Sequence, residues 1–152
     1  MRETGPVSTE STRPEPPVTS PSIIVLTLAR RLEAELNAAL APLDLTVARL
    51  ALLGHVASLP GASFSELARM GGVTVQSVHT GIRALQSAGL VRDLTARAGS
   101  ASEIELTSEG ADLLDRAREA ISAVDEKMFG PEAEPVPREI AGTIRRAFPA
   151  GG

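Results

Sequence analysis

The feature that most constrains this chain is a series of helix stop and start signals crowded into residues 63–90, followed by a change of hydrophobic period. Ser63 and Glu66 form the S-x-x-E pattern of a reciprocal helix cap, and Leu67, Ala68 and Met70 follow it. Gly71-Gly72 stops that short helix and makes a turn. Thr74 caps the next helix, with Val73 and Val78 spaced as a hydrophobic staple. Gly89 ends it as a left-handed residue, and Leu90 closes the hydrophobic contact. Residues 90–94 and 103–106 then alternate as strands do, joined by the small, polar, glycine-containing stretch 95–102.

Helices flank this unit. Residues 22–41 repeat Ile24, Leu28, Leu32, Leu36 and Leu40 at every fourth position, with Ser20 as cap and Pro21 at the first helical position. The first two turns are apolar nearly all round, more than one core face requires, so a partner subunit is the expected cover. Thr46 caps a helix to Ser58, stapled by Leu45 and Leu50 and ended by Leu59-Pro60-Gly61. Thr107 caps a helix over 108–129, which at about 1.5 Å per residue exceeds roughly 30 Å. Residues 131–137 read as a loop. Residues 138–148 read as a short helix able to cover an apolar neighbour through Ile140, Ile144 and Phe148. Residues 1–21 hold five of the 11 prolines and read as a disordered arm, and 149–152 as a tail. The fold class expected is mainly α with a small β-hairpin wing: one domain over 22–148, with a winged helix-turn-helix at 43–107.

Composition removes several functions. The chain has no cysteine and two histidines, which excludes disulfides, thiolate metal sites and cysteine redox sensing. Three Phe with no Trp or Tyr argue against stacking on single-stranded nucleic acid. No nucleophile–base pair, metal-ligand spacing or phosphate loop is visible, so no enzyme, catalytic residue, metal or cofactor is expected. The longest strongly apolar stretch, 23–29, is interrupted by Thr27 and falls far short of the about 20 residues of a membrane span. A polar, proline-rich N-terminus lacks a signal-peptide layout, which leaves a cytoplasmic protein as the expectation.

The second helix of such a unit is shaped for a DNA major groove. On its helical wheel Val75, Val78, Ile82 and Leu85 share one face, the expected core. Gln76, Ser77, Thr80, Arg83, Ala84 and Ser87 share the other. That outward face is small, polar and free of acids, as a surface against phosphates must be. Gln76 suits an adenine edge, and Arg83 a guanine edge or a phosphate. His79 lies at the boundary, open to a packing role or a phosphate contact. Gly81 costs about 1 kcal/mol against alanine in mid-helix, which a close packing contact explains. Between residues 43 and 107 five arginines (49, 69, 83, 92, 97) balance five acids (44, 66, 93, 103, 105). A neutral unit binds DNA modestly, and a dimer doubles its contacts. The alternative is a winged-helix module of weakened DNA affinity that binds a small molecule or a protein.

The order of elements, with Leu43-Asp44-Leu45-Thr46, Ser65-Glu66-Leu67-Ala68, Leu85-Gln86-Ser87-Ala88-Gly89-Leu90-Val91 and Leu106-Thr107-Ser108-Glu109-Gly110, resembles the MarR family of bacterial transcription regulators over about 22–148. The resemblance implies a triangular homodimer built by the terminal helices, 22–41 and 108–148. It implies binding to pseudo-palindromic DNA, and repression relieved by small ligands, often aromatic acids or phenols, held between the dimer helices and the winged unit. The expected DNA-binding residues are Thr74, Gln76, Ser77, Thr80, Arg83 and Arg97. Family members usually carry Asp-x-Arg or Asp-Arg-Arg in the wing, where this chain has Gly99, Ser100 and Ala101. Arg97 is near enough to substitute, or is a solvated loop residue. Arg30, Arg31 and His55 are the candidate ligand-binding residues. For the arginines the other reading is solvated charges at a dimer edge, and for His55 a packing role.

Overall fold

The computed structural model describes residues 20–94 and 103–149. In chain order they form α1 (Pro21–Leu40), a 3-10 turn (Ala41–Leu43), α2 (Val47–Ser58), α3 (Phe64–Gly71), α4 (Val75–Ser87), β1 (Val91–Asp93), β2 (Ile104–Leu106), α5 (Ser108–Phe129) and α6 (Pro135–Ala147). Arm residues 1–19 and the wing tip 95–102, with Arg97, lie outside the described residues. No single helix among the described residues is long and apolar enough to cross a membrane.

The helix ends follow the cap chemistry. Thr46, Ser63, Thr74 and Thr107 each accept a hydrogen bond from the backbone N–H three residues on. At Ser63 the cap is reciprocal: the Ser63 N–H donates to Glu66 Oε2 at 2.8 Å. That bond, and a second from the Ser63 hydroxyl, hold the Glu66 carboxyl below its ordinary pKa. Ser20 has the extended cap conformation and its carbonyl accepts from Ile24, with no side-chain bond. Gly89 adopts φ +73, the left-handed conformation in which glycine avoids a Cβ clash. There the Leu90 N–H reaches the Leu85 carbonyl and the Gly89 N–H that of Gln86, each at 2.9 Å, satisfying the last carbonyls of α4.

One boundary and one burial differ from expectation. α6 starts at Pro135, not at 138, because Pro135 and Pro137 fall in its first turn, where a missing N–H costs nothing. Val75, expected in the core, is 41% exposed. It sits on the first turn of α4, one turn before the buried Val78.

The core gathers α2, α3, α4, the hairpin and the first half of α5 around Leu53, Val56, Leu67, Val78, Ile82, Leu85 and Ile104, with Leu40 closing one end. Each such side chain contributes about 1.5–3 kcal/mol by burial. The strands pair antiparallel with Val91 opposite Leu106 and Asp93 opposite Ile104. Arg92 Nη2 and Glu105 Oε2, paired across them, lie 3.1 Å apart. α5 begins hard against the end of the unit formed by α3, α4 and the hairpin. A Cβ at Gly110 would collide with the Leu90 carbonyl oxygen and the Leu106 side chain, so only glycine allows this approach. From there α5 runs antiparallel to α1, joined by Lys127 Nζ to Glu35 Oε2 at 2.6 Å.

The outer ends of α1 and α6 bury little. Ile23 and Val25 are 58% exposed, with Ile24 and Leu26 beside them in the same two turns. On α6, Pro137 and Ala141 face inward, whereas Ile144 is exposed and Phe148 is 77% exposed. Among the described residues, Ile144 and Phe148 thus keep half or more of their surface open, while Ile140 is half-buried.

Candidate nucleic-acid interface and the cavity behind it

α3 and α4 meet at the left-handed Gly72, φ +62, whose geometry lets the Val73 N–H bond the Ala68 carbonyl at 3.0 Å. α4 packs Val78, Ile82 and Leu85 inward and exposes Gln76, Ser77, Thr80, Arg83, Ala84 and Ser87 or leaves them at the rim. Gln76, His79, Thr80 and Arg83 line a shallow groove of about 260 Å³ on that outer face. Thr74 and Ser77 are occupied locally. The Thr74 hydroxyl oxygen accepts from the Ser77 N–H at 3.1 Å and lies 2.9 Å from the Ser77 hydroxyl. Thr80 donates its hydroxyl to the Gln76 carbonyl at 3.1 Å, leaving its methyl and its acceptor lone pairs for a partner. Gln76 and Arg83 keep their full donor sets available to a nucleic acid.

His79 is fixed by a contact that the sequence did not show. Its ring stacks on Phe64, with centroids 3.9 Å apart and planes 24° apart. Phe64 is the first residue of α3, so the pair clamps the start of α3 to α4. The half-buried imidazole packs and also borders the groove. Both of the roles open to it are thus compatible with one position.

Behind α4 lies a cavity of about 370 Å³, walled by α2, the α3–α4 turn and α4 itself. Ala48, Ala51, Leu52, Val73, Val78 and Gly81 give it an apolar lining, and Arg49, His55 and Ser77 supply its polar groups. Arg49 donates through Nη1 to the Asp44 carbonyl at 2.8 Å. Its Nε is buried without a hydrogen-bond partner, the one such side-chain atom among the described residues. An unmatched buried donor carries an unrecovered desolvation cost.

Of the candidate ligand residues, only His55 lines this cavity. Arg31 stands at the corner of α1, α5 and α6, with Nη1 3.3 Å from Glu134 Oε1, and Arg30 is exposed on α1 outside the cavity wall. The antiparallel course of α1 along α5 puts Arg31 at that corner. Sequence reasoning missed Arg49 and Phe64. The available signal was Ala48, Ala51 and His55, small residues and one polar group at helical spacing on α2, opposite a mid-helix glycine.

Comparison with known proteins agrees with this architecture. Residues 43–98 match the model of the MarR family. An HTH-type transcriptional repressor of Mycobacterium tuberculosis is 36% identical over 116 residues, which are 76% of this chain and 84% of that protein. A MarR family protein of M. tuberculosis solved in complex with DNA superposes with a TM-score of 0.69 at 29% identity, covering 85% of this chain and 98% of the other. A structure of a MarR family protein from the same bacterium in complex with salicylic acid superposes with a TM-score of 0.65, again at 29% identity, covering 85% and 96%. With the glycine-turn recognition unit, the hairpin and the long helix behind them all in place, the chain belongs to the MarR family of transcriptional regulators.

Proposed function

We propose that the chain acts as a homodimeric transcriptional repressor whose hold on DNA is loosened by a small, largely apolar acid in the α2–α4 cavity. One observation carries this reading: the groove of Gln76, His79, Thr80 and Arg83 and the cavity lie on two sides of the same helix. A molecule seated against Gly81 touches the backbone next to Thr80 and two residues from Arg83. It thereby favours one position of the recognition helix over another, which is what a ligand must do to shift an equilibrium. Thr74, Gln76, Ser77, Thr80 and Arg83 are the proposed DNA contacts, with Arg97 from the wing. A carboxylate on the ligand would find Arg49 and His55 at the cavity. The salicylic acid complex of the M. tuberculosis protein supports that ligand class, and the DNA complex supports the partner.

Dimerisation is proposed through α1, the outer half of α5, and α6. Ile23, Ile24, Val25, Leu26, Ile144 and Phe148 are the apolar groups that a second copy would cover. Two copies would offer two recognition helices to half-sites about 34 Å apart.

The test is fluorescence anisotropy with labelled DNA from the region upstream of the coding sequence, at two salt concentrations, against a scrambled duplex. A salt-steep preference for the native fragment, reversed by salicylate, is the expected result. Equal weak binding to both duplexes would favour the module with weakened DNA affinity, for which the even charge of the winged unit is the supporting observation.

A further inference from the structure

Gly81 stands where a side chain would collide. A Cβ built there lies 2.5 Å from Leu52 Cδ2, nearer than two carbon atoms approach without one moving, and beyond its chain neighbours Thr80 and Ile82 and the helix's own backbone only Leu52 lies within 4 Å of it. Leu52 rests along the recognition helix only because residue 81 has no side chain. A methyl at 81 would displace the soft end of Leu52, and both residues are cavity wall. Val78, Ile82 and Leu53 around them are buried at 1% exposure or less, so the core offers no room for the displaced group. The open space is the cavity.

We propose that Gly81 and Leu52 act as a pair that sets the size of the cavity and so selects its occupant. Glycine holds Leu52 against α4 and keeps the space open for a small flat molecule, and any larger residue at 81 fills that space with the leucine. This rests on reading the cavity as the effector site. It also explains why the helix that meets DNA tolerates a poor helix former at its middle.

The experiment compares the full-length wild type, Gly81→Ala and Gly81→Ala/Leu52→Ala, with salicylate as the probe. Calorimetry reads salicylate binding, and anisotropy reads DNA binding and its release. In Gly81→Ala, salicylate affinity should fall about tenfold or more, and DNA binding should lose its response to salicylate. The double variant, which removes the displaced carbons, should recover salicylate binding to within about threefold of wild type. Wild-type salicylate binding in Gly81→Ala, or a double variant no better than the single, would each overturn the proposal. Wild-type protein that ignores salicylate would instead count against the effector reading. The pair is then decided by leucine-methyl NMR without ligand. Leu52 methyl shifts with unmoved α4 amides support it, and moved α4 amides with an unmoved Leu52 refute it.

Discussion

Thr107 joins the recognition unit to the long helix behind it, and its replacement by valine gives a quantitative test of that joint. The Thr107 oxygen accepts the Gly110 N–H at 3.1 Å, capping α5, and its hydroxyl donates to the Gly89 carbonyl at 2.7 Å. Valine keeps the β-branched shape and removes both bonds. A lost N-cap costs about 1 kcal/mol, and a lost hydroxyl-to-carbonyl bond about 1 kcal/mol more. Water can partly replace the second bond because Thr107 is only half-buried, so the expected loss is about 1.5–2 kcal/mol. For a chain of this size that lowers Tm by roughly 3–8 °C. The assay is thermal unfolding followed by circular dichroism at one fixed protein concentration, since a dimer's Tm depends on concentration. Thr107→Ser keeps both bonds and is the control. If Thr107→Val and Thr107→Ser differ by less than about 0.5 kcal/mol, the joint does not hold the two elements together as argued.

Simultaneous alanine replacement of Gln76, Thr80 and Arg83 should abolish sequence preference in DNA binding while helicity and Tm stay near wild type; an unchanged preference would remove α4 from the reading role. Leu26→Asp, in the exposed apolar turns of α1, should shift the protein from dimer to monomer in sedimentation velocity without unfolding it, and a variant that sediments as wild type would move the interface elsewhere. Glu66 titrates below its ordinary value because the Ser63 N–H and hydroxyl bond its ionised form. A carboxylate lowered on folding stabilises the protein above its unfolded pKa, and that contribution fades as pH falls through the lowered folded value. The stability of wild type relative to Glu66→Gln should therefore shrink on acidification from neutral pH through the carboxylate range, as read by urea titration at several pH values. A pH-independent difference would show that the ionised carboxylate is not what the cap uses.

Much of this protein could be read from local chemistry. Ser63 with Glu66, Thr74, Gly89 and Thr107 sit at the ends of the helices they were expected to bound, because a cap is a bond between residues three apart and needs no distant partner. The switch to alternation after Gly89 placed the hairpin for the same reason. The outward set on α4 was legible because a helix repeats every 3.6 residues whatever lies around it. Other features depended on which surfaces meet. Periodicity put Val75 with the core face, yet exposure is decided by where neighbouring helices end. Arg30 and Arg31 looked as eligible for a ligand as His55. Only the antiparallel path of α1 along α5 takes Arg31 to the α6 corner and leaves Arg30 exposed on α1, while α2 carries His55 to the cavity. The stacking of His79 on Phe64 joins residues 15 apart in sequence, and the seat of Leu52 against Gly81 joins residues 29 apart. Caps, turns and helix faces are set within one or two turns of chain and so are determined by the sequence itself. The cavity, its gatekeeping pair and the orphaned Arg49 nitrogen exist only once α2 and α4 are packed, because a void is a property of the gap between elements and of neither element alone.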